Sequence, residues 1–183
     1  MTTGVYPWRP AGTLVRVLRA VTTSLAVLAA STALGSSPTA GAAPPGSQCG
    51  VNLTAPQIGL AVRSLPPPIR GIDALWDPNA YGGNFDPCAT LSTALVTIQG
   101  ATGSSPDHAL IFHNGEYVGT ATPVPYPFTS LNKDETADDT VVLDYKDGRN
   151  ACTACPGPIY TVHYQWHGER VEMLDPPPPS PGS

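Results

Sequence analysis

An α+β fold is what this sequence predicts: an antiparallel β-meander of about five to six strands with one N-terminal helix packed on one face, stabilised by disulfides. Three observations carry that expectation. From residue 89 onward, short runs rich in β-branched and aromatic residues alternate with Asn-Gly, Asp-Gly and Pro-rich punctuation. Ahead of them lies a stretch of helical period. All four cysteines, Cys49, Cys88, Cys152 and Cys155, follow a segment that reads as an export signal.

That signal spans residues 1–42. Arg9, Arg16 and Arg19 precede an apolar run from Ala20 to Leu34, and Ala40-Gly41-Ala42 is a small-residue cleavage site. The run is short for the ~30 Å of a bilayer's hydrocarbon core, and Thr22, Thr23 and Ser24 interrupt it, so a permanent membrane span is not expected. A lipid-anchored cysteine needs a small apolar box directly before it; Gly46-Ser47-Gln48 precedes Cys49, and a lipid anchor is not expected either. The location this predicts is secreted or cell envelope, with membrane contact at most peripheral. Cleavage removes three basic residues and no acidic one, leaving a chain more acidic than the full-length charge of −5. Nucleic-acid partners are held by basic patches, so they are excluded. Four cysteines in an oxidising compartment predict two disulfides. Of three connectivities, Cys49–Cys88 with Cys152–Cys155 is favoured because the second pair closes locally.

A flexible leader (43–48) is followed by a single domain (49–175). Thr54 to Leu65 is the helix, with Thr54 as N-cap, Pro56 in the first turn, Ile58, Val62 and Leu65 on one face, and Pro66-Pro67-Pro68 as the stop. The segment from Trp76 to Cys88 is turn-rich and carries Trp76, Tyr81 and Phe85. Thr90 to Gln99 reads as the first strand, although Ala89 to Leu95 also fits a helix start.

The clearest unit is a hairpin from His108 to Thr122 around Asn114-Gly115, a pair that tolerates the positive φ angles of a type I′ turn. That turn predicts His113 opposite Glu116, Phe112 opposite Tyr117, Ile111 opposite Val118 and Leu110 opposite Gly119. Pro123, Pro125 and Pro127 end its second strand. Thr140 to Tyr145 is the next strand. A last hairpin joins Ile159–Trp166 to Glu169–Leu174 through His167-Gly168, pairing Tyr164 with Val171, Gln165 with Arg170 and His163 with Glu172. Residues 176–183 form a proline-rich tail without core-forming side chains.

Tyr81-Gly-Gly-Asn-Phe-Asp-Pro-Cys-Ala-Thr-Leu-Ser92, Leu110-Ile-Phe-His-Asn-Gly-Glu-Tyr-Val-Gly-Thr-Ala-Thr122, Asp139-Thr-Val-Val-Leu143 and Val162-His-Tyr-Gln-Trp166 occur in that order. Together they resemble the LppP/LprE lipoprotein family of actinobacterial cell envelopes. The resemblance implies an exported envelope protein and brings no catalytic residues with it.

The residues themselves point to no catalytic, cofactor-binding or metal-binding set. Cys152-Thr-Ala-Cys155 has dithiol spacing, but Pro156-Gly157-Pro158 opposes the helix that activates such a motif, so a disulfide clip is the better reading. His163 and His167 lie about 13 Å apart on a strand, too far to share a metal ion. Asp134, Glu135, Asp138 and Asp139 lack calcium-loop spacing and read as a solvated loop. The expected function is therefore non-catalytic binding of an envelope component or small ligand. The surface expected to serve it comprises Trp76, Tyr81 and Phe85 with His113 and Tyr117. The alternative is an extracytoplasmic enzyme, thiol–disulfide or hydrolytic.

Overall fold

A computed structural model describes residues 48–69, 71–147 and 155–180. The export signal, its cleavage site, most of the leader and Cys152 lie outside the described residues.

Helix α1 (Pro56–Val62) starts one residue later than its sequence predicts. Ala55 is the N-cap, and the Thr54 hydroxyl instead donates to Asn52 Oδ1 at 2.8 Å. Asn52 Oδ1 also accepts the Thr54 N–H, an Asx turn that competes successfully with capping. Ile58, Ala61 and Val62 are buried, and Leu65 packs beside them after the helix ends.

Strands β1 (Gly82–Gly83), β2 (Ser92–Thr97), β3 (Asp107–His113) and β4 (Glu116–Thr120) form one antiparallel sheet in that order. Strands β5 (Thr129–Leu131), β6 (Thr140–Lys146), β7 (Ile159–His167) and β8 (Arg170–Met173) form a second. The expected class holds, with eight strands among the described residues in place of five to six and two sheets sharing them. Alternate side chains of β2 and β3 explain the layering. Ala94, Val96, Leu110 and Phe112 face α1 with Trp76 and Phe85. Leu95, Ala109 and Ile111 face the opposite way, toward Val141, Leu143, Tyr145, Val162 and Tyr164 of the second sheet. The first sheet is thus the middle layer, buried on both sides.

Cys49 is bonded to Cys88, as expected, tying the segment before α1 to the loop before β2. The other expected bridge includes Cys152, outside the described residues.

Two registers differ from the sequence expectation. Asn114 (φ 49°) and Gly115 (φ 79°) make the predicted turn, and His113–Glu116 and Phe112–Tyr117 pair as expected. Beyond them the register shifts, so Ile111 meets Gly119 and Leu110 meets Thr120. Val118 is the extra residue of a β-bulge, and Gly119 (φ 143°) supplies the backbone freedom it needs. In the last hairpin His167 pairs with Arg170, so the turn is Gly168-Glu169, with Gly168 at φ 63°. Moving the turn by one residue moves each partner by two: Tyr164 meets Met173 and Gln165 meets Glu172. Faces are preserved because the strand period is two.

Candidate functional site

The five residues expected to form a surface fall in three places. Trp76 and Phe85 are core residues. The Trp76 indole N–H donates to the Pro66 carbonyl at 2.8 Å, and Phe85 stands edge-on to Phe112 with centroids 4.6 Å apart. Rings buried this way cannot contact a ligand, which removes both from the surface. Tyr81 is half-exposed, and its hydroxyl donates to the Thr129 carbonyl at 3.0 Å beside the Asp107 carboxylate. Burial of that end, then Asp107, pushes the phenol up; burial likewise raises the Asp107 carboxyl. His113 and Tyr117 sit at the turn end of β3 and β4. Asp107 and His113 terminate β3, roughly 20 Å apart at strand rise, so Tyr81 and the His113–Tyr117 pair cannot form one patch.

His113 is held for structure. Its Nδ1–H donates to the Thr90 carbonyl at 2.6 Å, Asn114 Nδ2 donates to its Nε2 at 2.9 Å, and its ring stacks on Trp166 with centroids 3.7 Å apart. These contacts fix the orientation of the ring and join the ends of the two sheets. Tyr117 packs half-buried against Phe112.

An apolar cleft of about 400 Å³, which no sequence pattern signals, opens at the Asp107 end of the first sheet. Pro68, Ile69, Ser104, Pro106, Val124, Pro125 and Pro127 line it. The geometry follows from one backbone bridge. Asp107 and Tyr126 exchange N–H···O bonds of 3.1 and 3.0 Å, so their flanking residues Pro106, Pro125 and Pro127 turn to the opposite side, toward the cleft. Proline rings fix φ and carry no N–H, which makes the walls preformed and poor in donors.

His108 shares the face of Pro106 by strand alternation. It is buried beside Trp76, with ring centroids 5.3 Å apart, and among the described residues its Nδ1 has no hydrogen-bond partner. Burial lowers its pKa to about 4. The unfolded chain takes up this proton below its ordinary value near 6.5, whereas the folded chain does so only near 4. Stability is therefore expected to fall as pH drops through that window and then level off, by up to about 3 kcal/mol. Urea denaturation at pH 7, 5.5 and 4 measures this, and His108→Phe is expected to flatten the slope. An unchanged slope in that variant contradicts the assignment.

His163 lies between two carboxylates. Its Nδ1–H and its backbone N–H both donate to Asp175 Oδ2, at 2.7 and 3.0 Å, and its Nε2 is 3.3 Å from Glu135 Oε2. The expected partner Glu172 is instead 3.7 Å from His167, a consequence of the displaced turn. The Asp175 hydrogen bond raises the His163 pKa, and the His163 backbone N–H lowers that of Asp175. The His163 contribution is full below its unfolded pKa and is lost as pH rises through the raised folded value. That of Asp175 is present above its unfolded pKa and is lost on acidification through the lowered one. Beyond Asp175 the tail does not extend freely, because Pro178 is buried and its carbonyl accepts the Tyr126 hydroxyl at 2.9 Å.

Residues 83–169 match the family model of LppP/LprE lipoproteins. Over 126 residues the chain is 32% identical to proteins of Mycobacterium tuberculosis and Mycobacterium bovis that bear the name lipoprotein LprE, covering 69% of this chain and 58% of each relative. A Mycobacterium leprae protein of the same name is 30% identical over 131 residues, covering 72% of this chain and 61% of the relative. This chain belongs to the LppP/LprE lipoprotein family. It spans about three-fifths of the length of these curated relatives. No solved structure matches it. The matched LppP/LprE span runs from β1 to the final turn and contains β2 to β7, Pro106, the Val124–Pro127 wall and His163. Membership points to an envelope-associated protein, and among the described residues no helix is long and apolar enough to cross a membrane.

Proposed function

We propose that this LppP/LprE chain is an exported, non-catalytic binding domain of the envelope, whose proline-lined cleft receives an apolar group of a small ligand or envelope component. The cleft itself carries the reading. Its volume of about 400 Å³ falls within the range of roughly 300–1,000 Å³ typical of ligand pockets, its lining is mainly apolar, and its proline walls need no reordering on binding. Ser104 is the polar group available to orient a ligand. Tyr81 offers a half-exposed ring at the same end of β3, while His113 and Tyr117 form a separate contact region at the other end. The chemistry of the histidines agrees with a binding role: the His113 ring is held by hydrogen bonds and stacked on Trp166, His163 is shared by two carboxylates, and His108 is buried and neutral. The Cys49–Cys88 disulfide supports reading the chain as exported without a lipid on Cys49, because a sulfur in that bond is not free to carry a lipid thioether.

The test uses the intact chain and the neutral apolar fluorophore N-phenyl-1-naphthylamine. Saturable one-site enhancement is expected. Val124→Asp places a charge on a cleft wall that is 40% exposed, so the fold should survive while affinity falls tenfold or more. Absence of saturable binding, or equal binding by the folded variant, overturns the reading.

A further inference from the structure

Residues 174–180 are seated on the body in a way that has the chemistry of recognition. Four consecutive prolines, Pro176–Pro179, have fixed φ, and each residue preceding a proline is pushed to extended backbone, so the run is a polyproline II segment by covalent constraint. It is held at two points about one turn of that helix apart. At the first, the Asp175 carboxylate accepts from the backbone N–H and the Nδ1–H of His163. At the second, the Pro178 ring is buried and its carbonyl accepts the Tyr126 hydroxyl. Tyr126 is itself positioned by edge contact with Tyr145 at 5.4 Å. An aromatic hydroxyl donating to a proline carbonyl, on a surface that also takes the proline ring, is the mode by which polyproline segments are read.

We propose that Tyr126 and His163 form a recognition site for an acidic residue followed by three prolines, filled in cis by the chain's own tail and open in trans to such a segment of another polypeptide. The occupancy seen here is of a kind that can exchange. The side chains of His163 and Asp175 remain 35% and 41% exposed, and Pro176 and Pro179 are exposed. A proline-rich competitor loses little conformational entropy on docking, so a small contact area suffices. This site is separate from the cleft, and its failure would leave the cleft reading untouched.

The experiment frees the site in the full chain by combining Asp175→Asn with Pro178→Gly. A labelled peptide matching residues 174–183 is then titrated by fluorescence anisotropy. Saturable binding is expected, at least tenfold weaker for the natural chain, whose own tail competes. Adding Tyr126→Phe to the freed chain should weaken binding fivefold or more, and a peptide carrying Asn for the aspartate and Gly for the third proline should bind at least tenfold more weakly. A freed chain with native circular dichroism that fails to bind, or binds regardless of Tyr126→Phe, overturns the proposal. Should the freed chain not fold, the natural chain still decides the matter. The Leu174 N–H donates to the His163 carbonyl at 2.8 Å, and Tyr126→Phe should speed its hydrogen exchange fivefold or more. Unchanged exchange overturns the proposal.

Discussion

Replacing Phe112 by alanine is expected to lower the free energy of unfolding by about 3–5 kcal/mol, the range for truncating a fully buried aromatic ring. Phe112 has no solvent exposure. It stands against Phe85 at 4.6 Å and Tyr117 at 5.7 Å in the core beneath α1. Collapse into the vacated space is restricted on both sides, because Phe112 is paired with Ser92 on β2 and Tyr117 on β4. Most of the cavity should therefore persist. Urea denaturation near pH 7 measures the change. Phe112→Leu, which leaves a smaller void, should lose distinctly less, and a loss below 1 kcal/mol for the alanine variant would contradict the packing described.

The second large effect is expected from the paired substitution Cys49→Ala and Cys88→Ala. The bridge closes a loop with a sequence separation of 39, for which loop-entropy estimates give about 4 kcal/mol. That loop contains α1 and β1, so its loss acts mainly by widening the unfolded ensemble. Locally the folded state keeps other ties between the same segments. The Gly50 N–H donates to Asp86 Oδ2 at 2.9 Å, and the Asn52 N–H donates to the Phe85 carbonyl at 2.8 Å. The variant is therefore expected to fold with its secondary structure intact and a much lower urea midpoint. An unchanged midpoint would contradict the role given to the bridge.

How much of this fold can be read from the sequence depends on which physical signal each element carries. Asn114-Gly115 specifies its own turn, because few other pairs accept two consecutive positive φ values. The bulge at Val118 leaves a fainter trace, a glycine inside a strand, which is compatible with plain pairing as well. In the last hairpin, Gly168 suits either the first or the second turn position, and local sequence does not choose between them. The second layer had a legible mark. Ala109-Leu-Ile-Phe112 has no polar alternation, as expected of a strand covered on both faces, whereas a strand with one wet face alternates. The candidate site is harder to read. Aromatic rings in a Gly- and Pro-rich loop serve equally as core plugs or contacts, and Trp76 and Phe85 turn out to be plugs. The cleft depends on the Asp107–Tyr126 bridge, a long-range contact that turns three prolines to one side. The seated tail depends on Tyr126 and His163, which composition does not connect to residues 175–178.

Neighbouring residues of β3 belong to different cores, and this division positions everything else. Methyl and aromatic NOE spectroscopy of the oxidised chain tests it directly. Ile111 should show cross-peaks to Leu143 and Tyr145 of the second sheet, while its neighbour Leu110 should show them to Ile58 or Val62 of α1. Cross-peaks from both residues to the same side, or from Ile111 to no residue of β6, would contradict the three-layer arrangement.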